Sequence, residues 1–83
     1  MKLSDQVRST HSQDGAVVLD IRQGQIFRLN FVGSRILELL KQGHVESQIV
    51  AQICLEFGAS REIVEIDVQE FLAHLEKEQL LRV

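Results

Sequence analysis

The chain has 83 residues, of which 45% are apolar and 25% charged, and its net charge is −3. A chain of this length forms one domain, here residues 1–83, because two separate cores would each be too small to fold unaided. The acidic balance argues against electrostatic binding of nucleic acid, and the single cysteine excludes a disulfide framework or a zinc site built on paired thiolates.

The chain contains no apolar run of membrane-spanning length and no apolar region typical of a signal peptide, so we expect a cytoplasmic protein that does not bind membranes. Residues 3–10 alternate weakly around Leu3 and Val7 and predict a short first strand. Turn residues follow, with Gly15 free to take a positive φ. Residues 16–21 predict a second strand. Its residues on one face are Val17, Leu19 and Ile21.

A hairpin is predicted next. Residues 22–24 fit a three-residue loop with Gly24 in the left-handed conformation. The third strand runs from Gln25 to Leu29, with Phe27 and Leu29 on one face and Ile26 and Arg28 on the other.

Three helices follow the strands. Asn30 is suited to cap the first helix, which Gly43 ends. The second helix extends from about Glu46 to Phe57 and ends at Gly58, and Ser60 caps the third. Apolar stripes run along all three: Val32, Ile36, Leu39 and Leu40; Ile49, Val50, Ile53, Cys54 and Phe57; and Val64, Val68, Phe71, Leu72 and Leu75. A three-stranded antiparallel sheet followed by three helices is an α+β domain with winged helix-turn-helix connectivity.

The pattern gives little support to an enzyme. His11, His44 and His74 fall in three different elements without metal-ligand spacing, and Cys54 lies on an apolar stripe near Glu56 rather than beside a base. We therefore expect no catalytic residues, no metal and no cofactor.

Two features exceed what a small core needs. On the third helix, Ile63 and Ile66 lie beside Asp67 and Glu70, away from the apolar stripe. They either cover the sheet or the first helix, or they form an apolar ledge edged by acids that suits a partner's side chains.

The second feature is the edge of the last strand, residues 25–29. In a three-stranded meander the outer strands each keep an unpaired side, and this strand carries no proline and only one charge, Arg28. The edge is therefore suited to accept an extended peptide. Alternatively, the N-terminal segment covers it, or a second copy pairs with it and forms a homodimer.

The same residues carry a family likeness that spans about residues 14–81. The pattern consists of Asp14-Gly15-Ala16-Val17-Val18-Leu19-Asp20, Gly24, Phe27-Arg28-Leu29-Asn30, Val32-Gly33-Ser34-Arg35-Ile36-Leu37-Glu38-Leu39-Leu40, Gly43, Ile49-Val50, Asp67-Val68, Phe71-Leu72 and Leu75. It resembles the PqqD-like family, whose members are called RiPP recognition elements. The resemblance implies a non-catalytic protein that binds the leader segment of a ribosomally made precursor peptide as an added strand and presents it to another enzyme.

Transferred by position, the resemblance makes Gln25, Ile26, Phe27, Arg28 and Leu29 the pairing edge. The helix side of the groove then consists of Ile63, Ile66, Asp67, Glu70 and Phe71, with Asp67 as a polar anchor. Residues 18–22 are more similar to the stand-alone leader-binding proteins of lasso-peptide pathways than to PqqD itself. This implies a leader peptidase of the cysteine-protease type, or another modifying enzyme, as partner. Val45 stands where the family often has a capping threonine, so the start of the second helix stays open, with Ser47 as a later candidate.

Three alternatives remain. One is a PqqD-type peptide chaperone in cofactor biosynthesis, and another is a structural domain that pairs with itself through the same edge. The third is a winged-helix DNA-binding regulator, which the acids of the third helix disfavour because they would approach phosphates.

Overall fold

The computed structural model describes residues 2–82. The elements in chain order are β1 (Lys2–Leu3), β2 (Val7–Ser12), β3 (Gly15–Asp20), β4 (Gln25–Leu29), α1 (Phe31–Lys41), α2 (Glu46–Phe57), α3 (Arg61–Lys77) and β5 (Leu81–Arg82). Strands β2, β3 and β4 form an antiparallel sheet in that order, and β1 pairs with β5 in a separate two-stranded sheet. The predicted α+β class, with a three-stranded sheet followed by three helices, is confirmed.

The helices cover one face of the main sheet, and the core lies between them. From the sheet, Val18 is fully buried in this core, while Phe27 and Leu29 are partly buried against it. The helical contribution is Ile36, Leu37, Leu39 and Leu40 from α1, Ile49, Val50 and Ile53 from α2, and Val64, Val68, Leu72 and Leu75 from α3. Leu37 joins the predicted stripes. Of the other predicted stripe residues, Val32, Cys54 and Phe71 are only partly buried against the core. The predicted place of Phe57 on the stripe is wrong, because it is exposed and packs edge-on against Phe31.

The helix termini follow local capping rules. Gly33 N–H donates to Asn30 Oδ1 at 2.8 Å, and Ile63 N–H donates to Ser60 Oγ at 3.4 Å. Helix α2 begins at Glu46, where Val45 has no side-chain acceptor, but Val45 N–H donates to Gln48 Oε1 at 3.1 Å. A side chain from inside the helix therefore replaces half of the missing cap, and Ser47 is not the start.

The first predicted strand is wrong in its extent. Residues 3–10 do not form one strand, because a turn at Ser4–Gln6 separates β1 from β2. Leu3 pairs with Leu81 instead, and Ser4 N–H donates to Leu80 O at 2.9 Å. This small sheet joins the two ends of the described chain and buries Leu80 against the core.

The second predicted strand differs in two details. It ends at Asp20 rather than Ile21, so the hairpin loop has four residues, Ile21–Gly24, with Gly24 at φ +69°. Asp20 is buried, and its Oδ1 accepts from the N–H groups of Arg22 and Gln23, which holds this loop. Val17 and Leu19 share a face as expected, but that face is the exposed one.

Candidate functional site

The outer side of β4 has no strand partner among residues 2–82, because β1 pairs with β5 and not with β4. The alternative in which the N-terminal segment covers this edge is therefore wrong for the described chain, because β1 pairs with β5. In an antiparallel sheet, alternate residues bond to opposite neighbours. Ile21 N–H donates to Gln6 O on the β2 side, whereas Asp20 O accepts from Gly24 N–H on the β4 side. By this alternation, the backbone N–H and C=O groups of Ile26 and Arg28 point away from the sheet.

Two adjoining depressions lie beside this edge. The first, of about 290 Å³, lies between β4 and the C-terminal half of α3. Its walls are Val18, Phe27, Arg28, Leu29, Asn30, Gly33, Phe71, His74, Leu75 and Leu80. The second, of about 470 Å³, lies between the start of α1 and α3, and its walls are Asn30, Val32, Gly33, Ile36, Asp67, Glu70 and Phe71. We call the two together the β4–α3 groove.

The depressions meet at Asn30, Gly33 and Phe71, which line both. A Cβ atom at Gly33 would lie 3.1 Å from Phe71 Cε1 and 3.3 Å from Asn30 Oδ1. The absence of a side chain at Gly33 therefore lets the Phe71 ring approach α1 and keeps the floor of the groove open.

The two depressions differ in polarity. The first is mainly apolar, with Leu75 and Leu80 at its floor, whereas the second has Asp67 and Glu70 in its wall. These carboxylates are three residues apart on α3, where like charges repel weakly. In the described chain the salt bridges of acidic residues are Arg35–Glu38, Arg35–Glu56 and Arg61–Glu65, so neither groove carboxylate has a cationic partner. The second depression is thus acidic.

The predicted site residues fall into three groups. Phe27, Arg28, Leu29, Asp67, Glu70 and Phe71 line the groove. Ile26 lies on the opposite face of the sheet, with 68% of its surface exposed, so only its backbone faces the open edge. Gln25, Ile63 and Ile66 line neither depression; the two isoleucines are 61% and 55% exposed, so they cover neither the sheet nor α1.

Other groove residues escaped the sequence reasoning. Asn30, predicted as a helix cap, and Leu75, predicted as a core residue, also line the groove, as does Gly33. The place of Leu80 in the groove could not be predicted from the sequence, because it depends on the β1–β5 pairing.

Arg35 and Glu56, whose pKa values are shifted by their contact, lie away from the groove, between α1 and α2. Arg35 Nη2 donates to Glu56 Oε2 at 2.7 Å and Arg35 Nε donates to Glu56 Oε1 at 2.8 Å. These hydrogen bonds, with a further one from Gln52, hold the pKa of Glu56 below its ordinary value. This contact joins two helices and has no geometric relation to the open edge.

Residues 2–82 contain no cluster of three side chains that could ligate a metal. Cys54 is half-buried on α2, away from the groove residues. No helix in the described part of the chain is long and apolar enough to cross a membrane. The groove therefore offers backbone hydrogen bonds, apolar surface and two carboxylates.

Comparison with known proteins points to one family. Residues 15–81 match the family model of PqqD, described as coenzyme PQQ synthesis protein D. A solved structure, TbiB1 in complex with the TbiA(beta) leader peptide, is 43% identical with a TM-score of 0.93, over 99% of this chain and 95% of that one. Lasso peptide synthetase B1 complexed with the leader peptide has the same fold, with 23% identity and a TM-score of 0.82 over 93% of this chain and 91% of that one. No curated protein sequence matches the chain.

Proposed function

The chain belongs to the PqqD family, and from this membership we propose that it recognises the leader segment of a ribosomally synthesised precursor peptide in a lasso-type pathway. The leader adds as a strand to β4, in the groove toward α3. The observation that carries this proposal is the unpaired side of β4 beside a groove with a mainly apolar floor. The likeness to TbiB1, whose structure contains a leader peptide, supports it.

Backbone pairing supplies part of the affinity. An added antiparallel strand exchanges hydrogen bonds with the N–H and C=O groups of Ile26 and Arg28, the two β4 residues turned away from β3. This pairing does not depend on the identity of the peptide's side chains. It therefore fixes the register of a peptide whose specificity comes from the groove.

Side chains of the peptide supply the rest. Residues opposite each other in an antiparallel pair share a face, so the peptide residues opposite Phe27 and Leu29 point into the groove, two positions apart. Apolar side chains fit the first depression, beside Leu75 and Leu80. A hydrogen-bond donor or a cation fits the second, where Asp67 is the polar anchor and Glu70 lies beside it.

The chain is a non-catalytic partner of a separate enzyme. By holding the leader, it raises the effective concentration of the precursor near that enzyme's active site. The partner is a leader peptidase of the cysteine-protease type, or another enzyme that modifies the precursor. A role as a PqqD-type chaperone in cofactor biosynthesis is less favoured, because both similar solved structures are complexes with leader peptides and one of them is a lasso peptide synthetase B1. A DNA-binding role is disfavoured by the unpaired acids on α3.

The test is fluorescence polarisation with the labelled leader of the precursor encoded beside this protein. Ile26→Pro removes the backbone N–H that faces the open edge, while Ile26→Thr keeps it and changes only an exposed side chain. We expect Ile26→Pro to weaken binding by at least about tenfold, because it leaves a peptide carbonyl unpaired, and Ile26→Thr to stay within about threefold. Equal affinities for the two variants would contradict strand addition at β4.

The groove is tested separately with matched acids on α3. Asp67 lines the second depression, whereas Glu62 is exposed and lines neither. We expect Asp67→Ala to weaken leader binding by at least about tenfold and Glu62→Ala to leave it unchanged, since a hydrogen bond to a charged group contributes about 1.5 kcal/mol or more. Ile66→Asp tests whether the leader also contacts the exposed ledge of Ile63 and Ile66, which lies outside the depression. If the wild-type protein does not bind the leader at all, the proposed function is wrong.

A further inference from the structure

The face of the main sheet opposite the helices is unexpectedly apolar. Val17, Leu19 and Ile26 lie on it, and Leu19 is 38% exposed although it sits on the central strand. Ile21 continues the apolar surface at the end of β3 and is half exposed. A sheet with one solvated face normally carries polar residues there. We call this surface, with Arg8, Thr10 and Arg28, the outer sheet face.

The register orders the outer sheet face into two rows across the strands. One row runs Arg8, Leu19, Ile26, and the other runs Thr10, Val17, Arg28. The apolar side chains are therefore contiguous, with one arginine at each of two diagonally opposite corners. A shallow depression of about 280 Å³ adjoins the second row beside Gly15.

The charged strand residues of this face are both arginines, and the nearest acid is Asp14, in the β2–β3 turn, which lines the adjoining depression. Its strand residues include no acid, and within residues 2–82 neither Arg8 nor Arg28 takes part in a salt bridge. Arg8 Nη1 donates only to the backbone oxygens of Asp5 and Val7. The face therefore complements a surface that is apolar at its centre and acidic at its margin.

A peptide added to β4 would extend the outer sheet face by one strand. The peptide residues opposite Ile26 and Arg28 share their face, so they point outward while their neighbours enter the groove. The outer sheet face and the bound peptide would then form one continuous surface. The protein presents this continuous surface only when the peptide is bound.

We infer that the outer sheet face is the docking surface for the enzyme that acts on the bound leader, and that this enzyme presents an apolar patch bordered by carboxylates. The inference rests on the proposed function. The outer sheet face is continuous with the peptide-binding edge, which supports the enzyme as occupant. An enzyme that docks there distinguishes the protein with a bound leader from the protein without one. A second copy is the weaker occupant, because the strand residues of an identical face supply arginines and no carboxylate to pair with them.

The test uses the full chain, the labelled leader and the purified leader peptidase of the same pathway. Arg8→Glu changes the outer sheet face on β2, two strands from the peptide-binding edge, and Leu19→Glu changes it on β3, opposite Ile26; neither residue lines the groove. Leu55→Glu is the matched control, because Leu55 is an exposed apolar residue on α2, 78% accessible, away from the sheet. Leader affinity by polarisation, peptidase affinity by biolayer interferometry and leader cleavage rate are measured for each.

We expect Leu19→Glu and Arg8→Glu to bind the leader within about twofold of wild type, but to weaken peptidase binding and slow cleavage by at least about tenfold, since like charges would face the carboxylates. Leu55→Glu should change neither. Wild type should bind the peptidase more tightly with the leader present than without it. Should Leu19→Glu not fold by circular dichroism, Arg8→Glu decides, because Arg8 is exposed and its side chain hydrogen-bonds only to backbone oxygens of the adjacent turn.

Three outcomes would overturn the inference. Both variants could cleave at the wild-type rate, or Leu55→Glu could lose as much as they do. Wild type could also be a dimer by light scattering that Leu19→Glu dissociates, which would assign the face to a second copy. None of these involves leader binding, so failure of the docking surface is distinguishable from failure of the proposed function, in which wild type would not bind the leader.

Discussion

Strands β2 and β4 occupy equivalent places at the two edges of one sheet, yet their inward side chains differ. On β2, His11 Nδ1 hydrogen-bonds with Ser34 Oγ at 2.7 Å, and Lys41 Nζ donates to Ser9 Oγ at 2.8 Å, so α1 fastens this edge. On β4, Phe27 and Leu29 are apolar, half-buried and open to the groove. Hydrogen bonds from polar side chains to α1 fill the space beside β2, whereas the apolar residues of β4 leave the groove beside it unfilled.

The largest expected effect comes from a methyl group added at Gly15, where the β2–β3 turn lies against the end of β4. Gly15, at the β2–β3 turn, has φ +150°, and a Cβ atom there would overlap Leu29 O. We expect Gly15→Ala to destabilise the protein by about 3 kcal/mol, because it adds a backbone clash to an unfavourable φ. Urea unfolding measures the loss.

The control separates the clash from the backbone strain. Gly24 has φ +69° with nothing near a Cβ atom, so Gly24→Ala should cost only about 1 kcal/mol. Equal losses for the two variants would show that Gly15 does not hold the end of β4 in place.

The next effect comes from removing the hydrogen bond that joins α1 to β2. Ser34 is buried, and its hydrogen bond with His11 crosses from α1 to β2. We expect His11→Ala to lower the free energy of unfolding by about 2 kcal/mol, because it leaves the Ser34 hydroxyl without this partner. Leader affinity should stay unchanged, since β4 is not involved. Weakened leader binding in the folded variant would contradict the independence of the two edges.

Local chemistry explains why much of this fold could be predicted. Asn30, Ser60, Gly24 and Gly58 each act through backbone groups within a few residues, so their capping and turn roles follow from the sequence alone. The three helices and the β3–β4 hairpin follow from the same local rules and from apolar periodicity.

Long-range packing explains what could not be predicted. The β1–β5 sheet involves two residues on each strand, too few for a pattern, and it brings together opposite ends of the chain. Without it, Leu80 has no predictable place in the groove. The orientation of α3 likewise depends on Val68 and Leu72 meeting the core, which turns Asp67 into the groove and leaves Ile63 outside it.

A smaller effect comes from narrowing the β4–α3 groove at the junction of its two depressions. At Gly33, an added methyl group would lie 3.1 Å from Phe71 Cε1, where the two depressions meet. We expect Gly33→Ala to weaken leader binding about tenfold, while stability stays within about 1 kcal/mol because helix propensity offsets the crowding. Ser47→Ala, on the exposed side of α2, is the control for propensity alone. Unchanged leader affinity in Gly33→Ala would show that the peptide does not pass this junction.

The smallest effect concerns a contact remote from both edges. Because Arg35 holds the pKa of Glu56 below its ordinary value, their pair stabilises the folded protein above the unfolded carboxyl pKa, and this contribution is lost as the pH falls through the folded pKa. We expect Glu56→Gln to be about 0.5–1 kcal/mol less stable than wild type at pH 7, with the difference shrinking as the pH drops below about 4.

Urea unfolding at pH 7 and pH 3 measures this difference. Glu38→Gln is the control, since Glu38 lies 3.9 Å from Arg35 and is more exposed, and it should cost less. Leader affinity should be the same in both variants, because the contact joins α1 to α2 without reaching β4. A Glu56→Gln protein that loses leader affinity in proportion to its stability would mean that the open edge depends on the whole scaffold. Retained affinity would mean that the geometry of β4 and α3 alone sets it.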